Sequence, residues 1–211
     1  LAQEIDDKAG TALSYRYMGG VAYYRGDYNT ALGYYKSQLK LAEEMGNAID
    51  IAVAKNNLGL IYLYLNDFNN AADCYSHALE TYKKFGIRSY ISYTSNNLAE
   101  LKIRQGFYEE AKELVHSQME IAKDLGNIRQ IALAYAMEGN IEKRIGKYDV
   151  SFKCYDSAIE LGEKLNIASL TCEFLYEKAD LLHKMGRYDD ASAMDEKALK
   201  ISEEVKRASI I

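Results

Sequence analysis

Five asparagines stand where a helical repeat would bring them into register: the doublets Asn56-Asn57 and Asn96-Asn97, forty residues apart, and Asn140 one turn further along its own segment. A carboxamide carries two N–H donors and an acceptor oxygen, so one such residue per repeat can pair with a peptide backbone whatever side chains that peptide bears. A second reading stays open beside it, in which the carboxamide bonds a neighbouring helix and sets the superhelical pitch. For Asn56 and Asn96 the two readings stand level. Along the same face, the residue one turn before each bend runs Tyr24, Tyr64, Arg104, Arg144, Lys184, with Tyr17 nearby. Flat amphipathic rings give way to cations, a strip suited to acidic side chains or a terminal carboxylate. Glu100, Glu142, Glu173, Glu177 and Asp180 are close enough to turn that strip into a salt-bridged, solvated edge instead.

Other chemistry is disfavoured. His77, His116 and His183 fall in separate segments, none four residues from a cysteine or another histidine, so no metal site is expected. Cys74 and Cys154 occupy equivalent repeat positions and read as packing groups, and Cys172 has no cationic activator beside it. Neither GxxxxGK[ST] nor GxGxxG occurs, so no phosphate loop, no cofactor and no enzyme activity are expected. A net charge of −5 argues against nucleic acid as a partner. No run of eighteen apolar residues exists, and none is expected to enter a membrane. Three cysteines without a paired pattern point to a reducing, cytoplasmic setting.

These side chains need elements to hold them, and the punctuation of the chain supplies the elements. There is no proline. A turn signature recurs every forty residues as Gly26-Asp27-Tyr28, Asn66-Asp67-Phe68, Gly106-Phe107-Tyr108, Gly146-Lys147-Tyr148 and Gly186-Arg187-Tyr188. A finer step of twenty places Gly or Asn at 26, 46, 66, 86, 106, 126, 146, 166 and 186, with Lys206 the exception. Both residue types tolerate the left-handed backbone that ends a helix. The spacing therefore predicts helices of roughly sixteen to eighteen residues joined by tight bends. In the first helix of each unit Gly19, Gly59, Ala99, Gly139 and Ala179 sit within the apolar stripe, which marks a point of close helix crossing. The expected units are 8–47, 48–87, 88–127, 128–167 and 168–206 of a single domain over 1–211.

The set Leu58-Gly59, Tyr62, Asn66-Asp67-Phe68, Ala71, Tyr75 and Ala78-Leu79 resembles the tetratricopeptide repeat, and the likeness runs over nearly the whole chain. The usual closing proline is absent and six extra residues per unit replace it, as in the long-repeat variants of kinesin light chains, Pins-type adaptors and Rap-like peptide receptors. The resemblance implies an all-α, right-handed solenoid of five helical hairpins whose concave face holds a protein or peptide partner. It would put Asn57 and Asn97 in the role of backbone-holding asparagines. A carboxylate clamp is not matched, since Tyr93 and Leu133 stand where its lysines would be.

The termini carry an expectation of their own. Leu1–Asp7 aligns with Leu41–Asn47, so the chain is expected to start in the last turn of a second helix, and the tail after Lys206 to stop where another unit would begin. Both ends are then truncated, and self-association through them is the alternative to a peptide partner, together with a role as scaffold, spacer or sensor in a larger signalling protein.

Overall fold

Nine residues at intervals of twenty adopt left-handed backbone: Gly26, Gly46, Asn66, Gly86, Gly106, Gly126, Gly146, Asn166 and Gly186. At Gly26 and Asn66, with φ of 76° and 60°, the helix ends in the same way. The left-handed residue donates its N–H to the carbonyl three residues back, and the following Asp27 or Asp67 donates five back, to Ala22 or Tyr62. The last orphan carbonyls of the helix are satisfied and the chain is aimed back along itself. Asp27, Asn47, Asp67 and Asn127 then accept N–H groups of the following first turn. The stop of one helix and the start of the next thus occupy adjacent residues.

The computed structural model describes residues 2–208, with side chains from 8 to 204. Among these the regular elements are all helices, in two compact units, Leu1–Gln105 and Gly106–Ile211. The first unit holds α1 (Ala2–Tyr24), α2 (Tyr28–Met45), α3 (Ala48–Tyr64), α4 (Phe68–Lys84) and α5 (Arg88–Gln105). The second holds α6 (Tyr108–Asp124), α7 (Ile128–Arg144), α8 (Tyr148–Lys164), α9 (Ala168–Lys184) and α10 (Tyr188–Ala208). Within each unit every helix packs on the next in the chain, and the inner helices also meet, α3 with α5 and α7 with α9.

The crossing points follow the expected pattern and show what fills them. A Cβ on Gly19 would lie 2.6 Å from the ring of Tyr35, one on Gly59 2.7 Å from Tyr75, and one on Gly139 3.0 Å from Tyr155. A tyrosine of the second helix lies flat where the first helix has no side chain. In α9 the position is Ala179, and α10 carries Asp195 in the tyrosine's register. The buried Ala31 and Ala71 bring the helices together beside the Tyr35 and Tyr75 rings.

The N-terminal expectation is corrected. α1 runs unbroken from Ala2 to Tyr24, without the bend near Asp7 that alignment with Gly46-Asn47 implied. No Gly or Asn stands there to adopt the left-handed turn, so the helix continues. Lys206 likewise lies inside α10, whereas the tail Ser209–Ile211 is outside the described residues.

Candidate functional site

In the first unit the odd-numbered helices α1, α3 and α5 carry the predicted residues. Asn57 on α3 is half-buried, and its Nδ2 donates to Oε1 of Gln38 on α2 at 3.4 Å. Asn97 on α5 donates from Nδ2 to Oδ1 of Asn56 on α3 at 3.3 Å, and Thr94 Oγ1 donates to the same oxygen at 3.1 Å. Asn56 is 4% exposed and Asn97 8%. The doublets do not repeat one another, since Asn56 is buried and Asn57 half-buried whereas Asn96 is half-buried and Asn97 buried. Asn56 is taken up in a buried link between α3 and α5, whereas the carboxamide of Asn97 retains an oxygen and a further N–H. Asn96 is half-buried, with an Oδ1 shut away from solvent and no hydrogen-bond partner among the described residues. Val53, Leu63 and Ile103, which stand at helical spacing from these asparagines on α3 and α5, are buried. The accessible strip is narrow, because α3 packs against α2, α4 and α5.

Aromatic residues gather at one end of these helices. Tyr23 donates its hydroxyl to Tyr64 at 3.1 Å, Tyr28 stacks on Tyr64 with centroids 5.0 Å apart, and Tyr24 meets Tyr23 edge-on at 5.2 Å. Arg104 lies over the Tyr64 ring at 5.1 Å while bonding Glu100 at 2.8 Å. The expected change from ring to cation is thus a contact between α3 and α5. Burial, then the bond to Tyr64, pushes the Tyr23 hydroxyl far above its ordinary value, so it stays a protonated donor. Tyr24 and Tyr17 project outward, 88% and 63% exposed.

In the second unit Asn140 on α7 accepts from the Tyr155 hydroxyl of α8 at 3.0 Å, which leaves its amide N–H groups for other partners. Burial raises the Tyr155 hydroxyl well above its usual range. Arg144 is exposed, and Lys184 pairs with Asp180 at 2.9 Å. Lys143, which phase did not single out, is the buried cation: it bonds Glu177 at 2.7 Å and Asp180 at 2.9 Å across to α9, with Tyr155 under its ammonium. Burial alone would raise the Asp180 carboxyl, but Lys143 and Lys184 outweigh it and hold the group below its ordinary value. Glu142, nearly buried, pairs with Lys112 at 2.7 Å. Acids and bases in this unit largely answer one another, which is the salt-bridged alternative read from the sequence.

The thiols are unsuited to nucleophilic chemistry as they stand. Burial pushes Cys154 up to about 12 and raises Cys74 and Cys172 as well, and Cys172 bonds the Ala198 carbonyl. Among the described residues no three His, Cys, Asp or Glu side chains gather as a metal site requires, and no helix is long and apolar enough to cross a membrane. An open hollow of about 420 Å³ lies at the α7–α8 bend, lined by Gly146, Lys147, Tyr148, Asp149, Val150 and Met185, none of them a sequence-predicted residue.

Comparison with known proteins places this architecture. A family model described as tetratricopeptide repeat matches residues 3–84, and another of the same description matches residues 175–205, together just over half of the chain. No curated protein matches. Among solved structures, a Rap protein complexed with competence and sporulation factor is 20% identical with a TM-score of 0.84, over 90% of this chain and 53% of its own. The Rap conjugation gene regulator of the plasmid pLS20, in complex with the Phr* peptide, is 15% identical with a TM-score of 0.85, over 98% of this chain and 57% of its own. A putative kinesin light chain of Podosopora anserina with nearly identical TPR-like repeats is 12% identical with a TM-score of 0.65, over 92% of this chain and 96% of its own. The chain thus spans little more than half the length of the two Rap proteins, and at these identities the likeness is one of fold.

Proposed function

The chain belongs to the tetratricopeptide-repeat family, and on that premise we propose that it is a non-catalytic, cytoplasmic module, a single domain of five hairpins, that holds a peptide or protein segment against its inner helices. One observation carries the reading: Asn57 and Asn97, a single repeat apart, each spend one carboxamide N–H on an anchoring bond, with Asn57 half-buried and Asn97 8% exposed. Repetition at the interval of the fold suits an extended ligand, whose backbone groups also recur at fixed steps. Tyr17, Tyr24 and Tyr64 belong to the proposed surface of the first unit, and Asn140, Arg144 and Lys184 to that of the second. Asn56 supports it from within, the exposed Arg104 lies over the Tyr64 ring, and Asn96 lies alongside. The two Rap structures, one solved with competence and sporulation factor and one with the Phr* peptide, support the reading by analogy of fold.

The test is a pair of substitutions. Asn57→Ala and Asn97→Ala together are expected to weaken capture of a peptide selected from a displayed library by about tenfold or more. Helicity by circular dichroism stays at the wild-type level. Unchanged affinity would sink the reading. A second reading, self-association, rests on α1, where Met18 and Val21 are about half exposed while their equivalents Leu58 and Ile61 are buried. A solution mass that rises with concentration would favour it.

A further inference from the structure

The asparagines of the first unit are oriented as well as placed. Asn57 and Asn97 each turn their amino group toward a buried acceptor on a different helix: Oε1 of Gln38 on α2 and Oδ1 of Asn56 on α3. Gln38 and Asn56 are both 4% exposed. The Asn56 oxygen also accepts the Thr94 hydroxyl, so its two lone pairs are filled and the bridge is complete. In a planar carboxamide the oxygen lies on the opposite arm from the amino group. Holding the amino group on its buried acceptor keeps the oxygen off that acceptor.

We propose that Gln38, Asn56 and Thr94 are positioning residues that hold the Asn57 and Asn97 carboxamides with Oδ1 toward the ligand, so that the first unit selects a segment offering backbone N–H donors. The proposal rests on the peptide-binding reading above and deepens it. A freely rotating asparagine serves donors and acceptors equally and loses rotamer entropy on binding. A held one recognises one polarity without that loss. The preferred ligand is an extended peptide main chain with unsubstituted amides. Proline or an N-methylated residue at the contacted positions removes the donor.

The probe is the tightest peptide selected from a displayed random library on the full 211-residue chain, resynthesised and measured by calorimetry. Thr94→Val and Gln38→Met are each expected to weaken it about threefold to tenfold. Thr94→Ser, which keeps the hydroxyl, stays near wild type. In the Asn97→Ala background Thr94→Val adds no further loss, and in the Asn57→Ala background neither does Gln38→Met. Replacing the contacted amides of the peptide by N-methyl groups weakens binding to wild type and leaves binding to the double Asn57→Ala, Asn97→Ala variant unchanged. Thermal unfolding of every variant checks that the fold persists.

Two results overturn the orientation while leaving the peptide-binding reading intact. In one, Asn57→Ala and Asn97→Ala weaken the peptide but Thr94→Val and Gln38→Met do not. In the other, the positioning variants weaken it equally whether or not the asparagines are present. A peptide indifferent to both asparagines, or a library that yields no binder, overturns the reading and the orientation together.

Discussion

At the residue scale the sharpest contrast lies between two glycines. Gly59 is in the middle of α3 because the Tyr75 ring occupies the space of a side chain, whereas Gly33, in the exposed face of α2, has nothing within 4 Å of where a Cβ would be. Gly59→Ala is expected to destabilise by about 1–2 kcal/mol, since overpacking outweighs the gain in helix propensity. Gly33→Ala is expected to stabilise by about 0.5–1 kcal/mol. Urea denaturation of both variants checks the opposite signs. The sequence showed the glycine but not its tyrosine, because the ring arrives from sixteen residues away on another helix and leaves no local trace. The asparagines repeat this lesson. Helical phase put Asn56 and Asn57 on one side of α3, but only the positions of Thr94 and Gln38 decide that the first is buried in a link and the second is anchored yet accessible. Lys143 escaped attention for a related reason: it stands one residue, and so about 100° of helix, from the expected Arg144.

At the scale of elements nearly everything was legible. A left-handed residue at a helix end is a steric demand made by one position on its own side chain, so the twenty-residue spacing of Gly and Asn located the bends with no knowledge of the neighbours. The exception, α1, is instructive for the same reason, since homology with the second helices suggested a bend where no residue suited to it stands. Asn66 and Asn166 are the two bends not made by glycine. Asn66→Gly should raise the unfolding midpoint, with a gain of up to about 1 kcal/mol, and Asn66→Ala should lower stability by about 1 kcal/mol. Differential scanning calorimetry distinguishes the two, and a stable Ala variant would mean that the bend can relax out of the left-handed region.

At the scale of the molecule the two units are built on different chemistry. The first concentrates rings, from Tyr23, Tyr28 and Tyr64 to the Tyr82–Tyr90 stack. The second ties its helices with ion pairs, in which Lys143 and Lys178 are buried cations facing Glu177, Asp180 and Asp156. Because Asp180 is held below its ordinary value, its contribution is full above about pH 4, the unfolded carboxyl's range, and is lost as pH falls through the folded value. Protonation of Asp180 then removes one of the two carboxylates that face the buried Lys143 ammonium. Segment-resolved hydrogen exchange at pH 3 and 7 is expected to show the second unit losing protection first. Equal loss in both units, or earlier loss in the first, would contradict this account. Composition alone could not reveal the asymmetry, since charged residues are spread through both halves and only the pairing distinguishes them.

The evenly spaced left-handed bends have a consequence for how such a chain can be copied. An unequal exchange that removed the forty residues from Gly26 to Leu65 would join α1 directly to the bend at Asn66 and on to α4. The bend would still carry a residue that tolerates its backbone, and an Asp would still cap the helix beyond it. The Gly19 left behind would meet Tyr75 in the register where it now meets Tyr35. A gene so punctuated can lengthen or shorten by whole units without needing a compensating mutation at either seam.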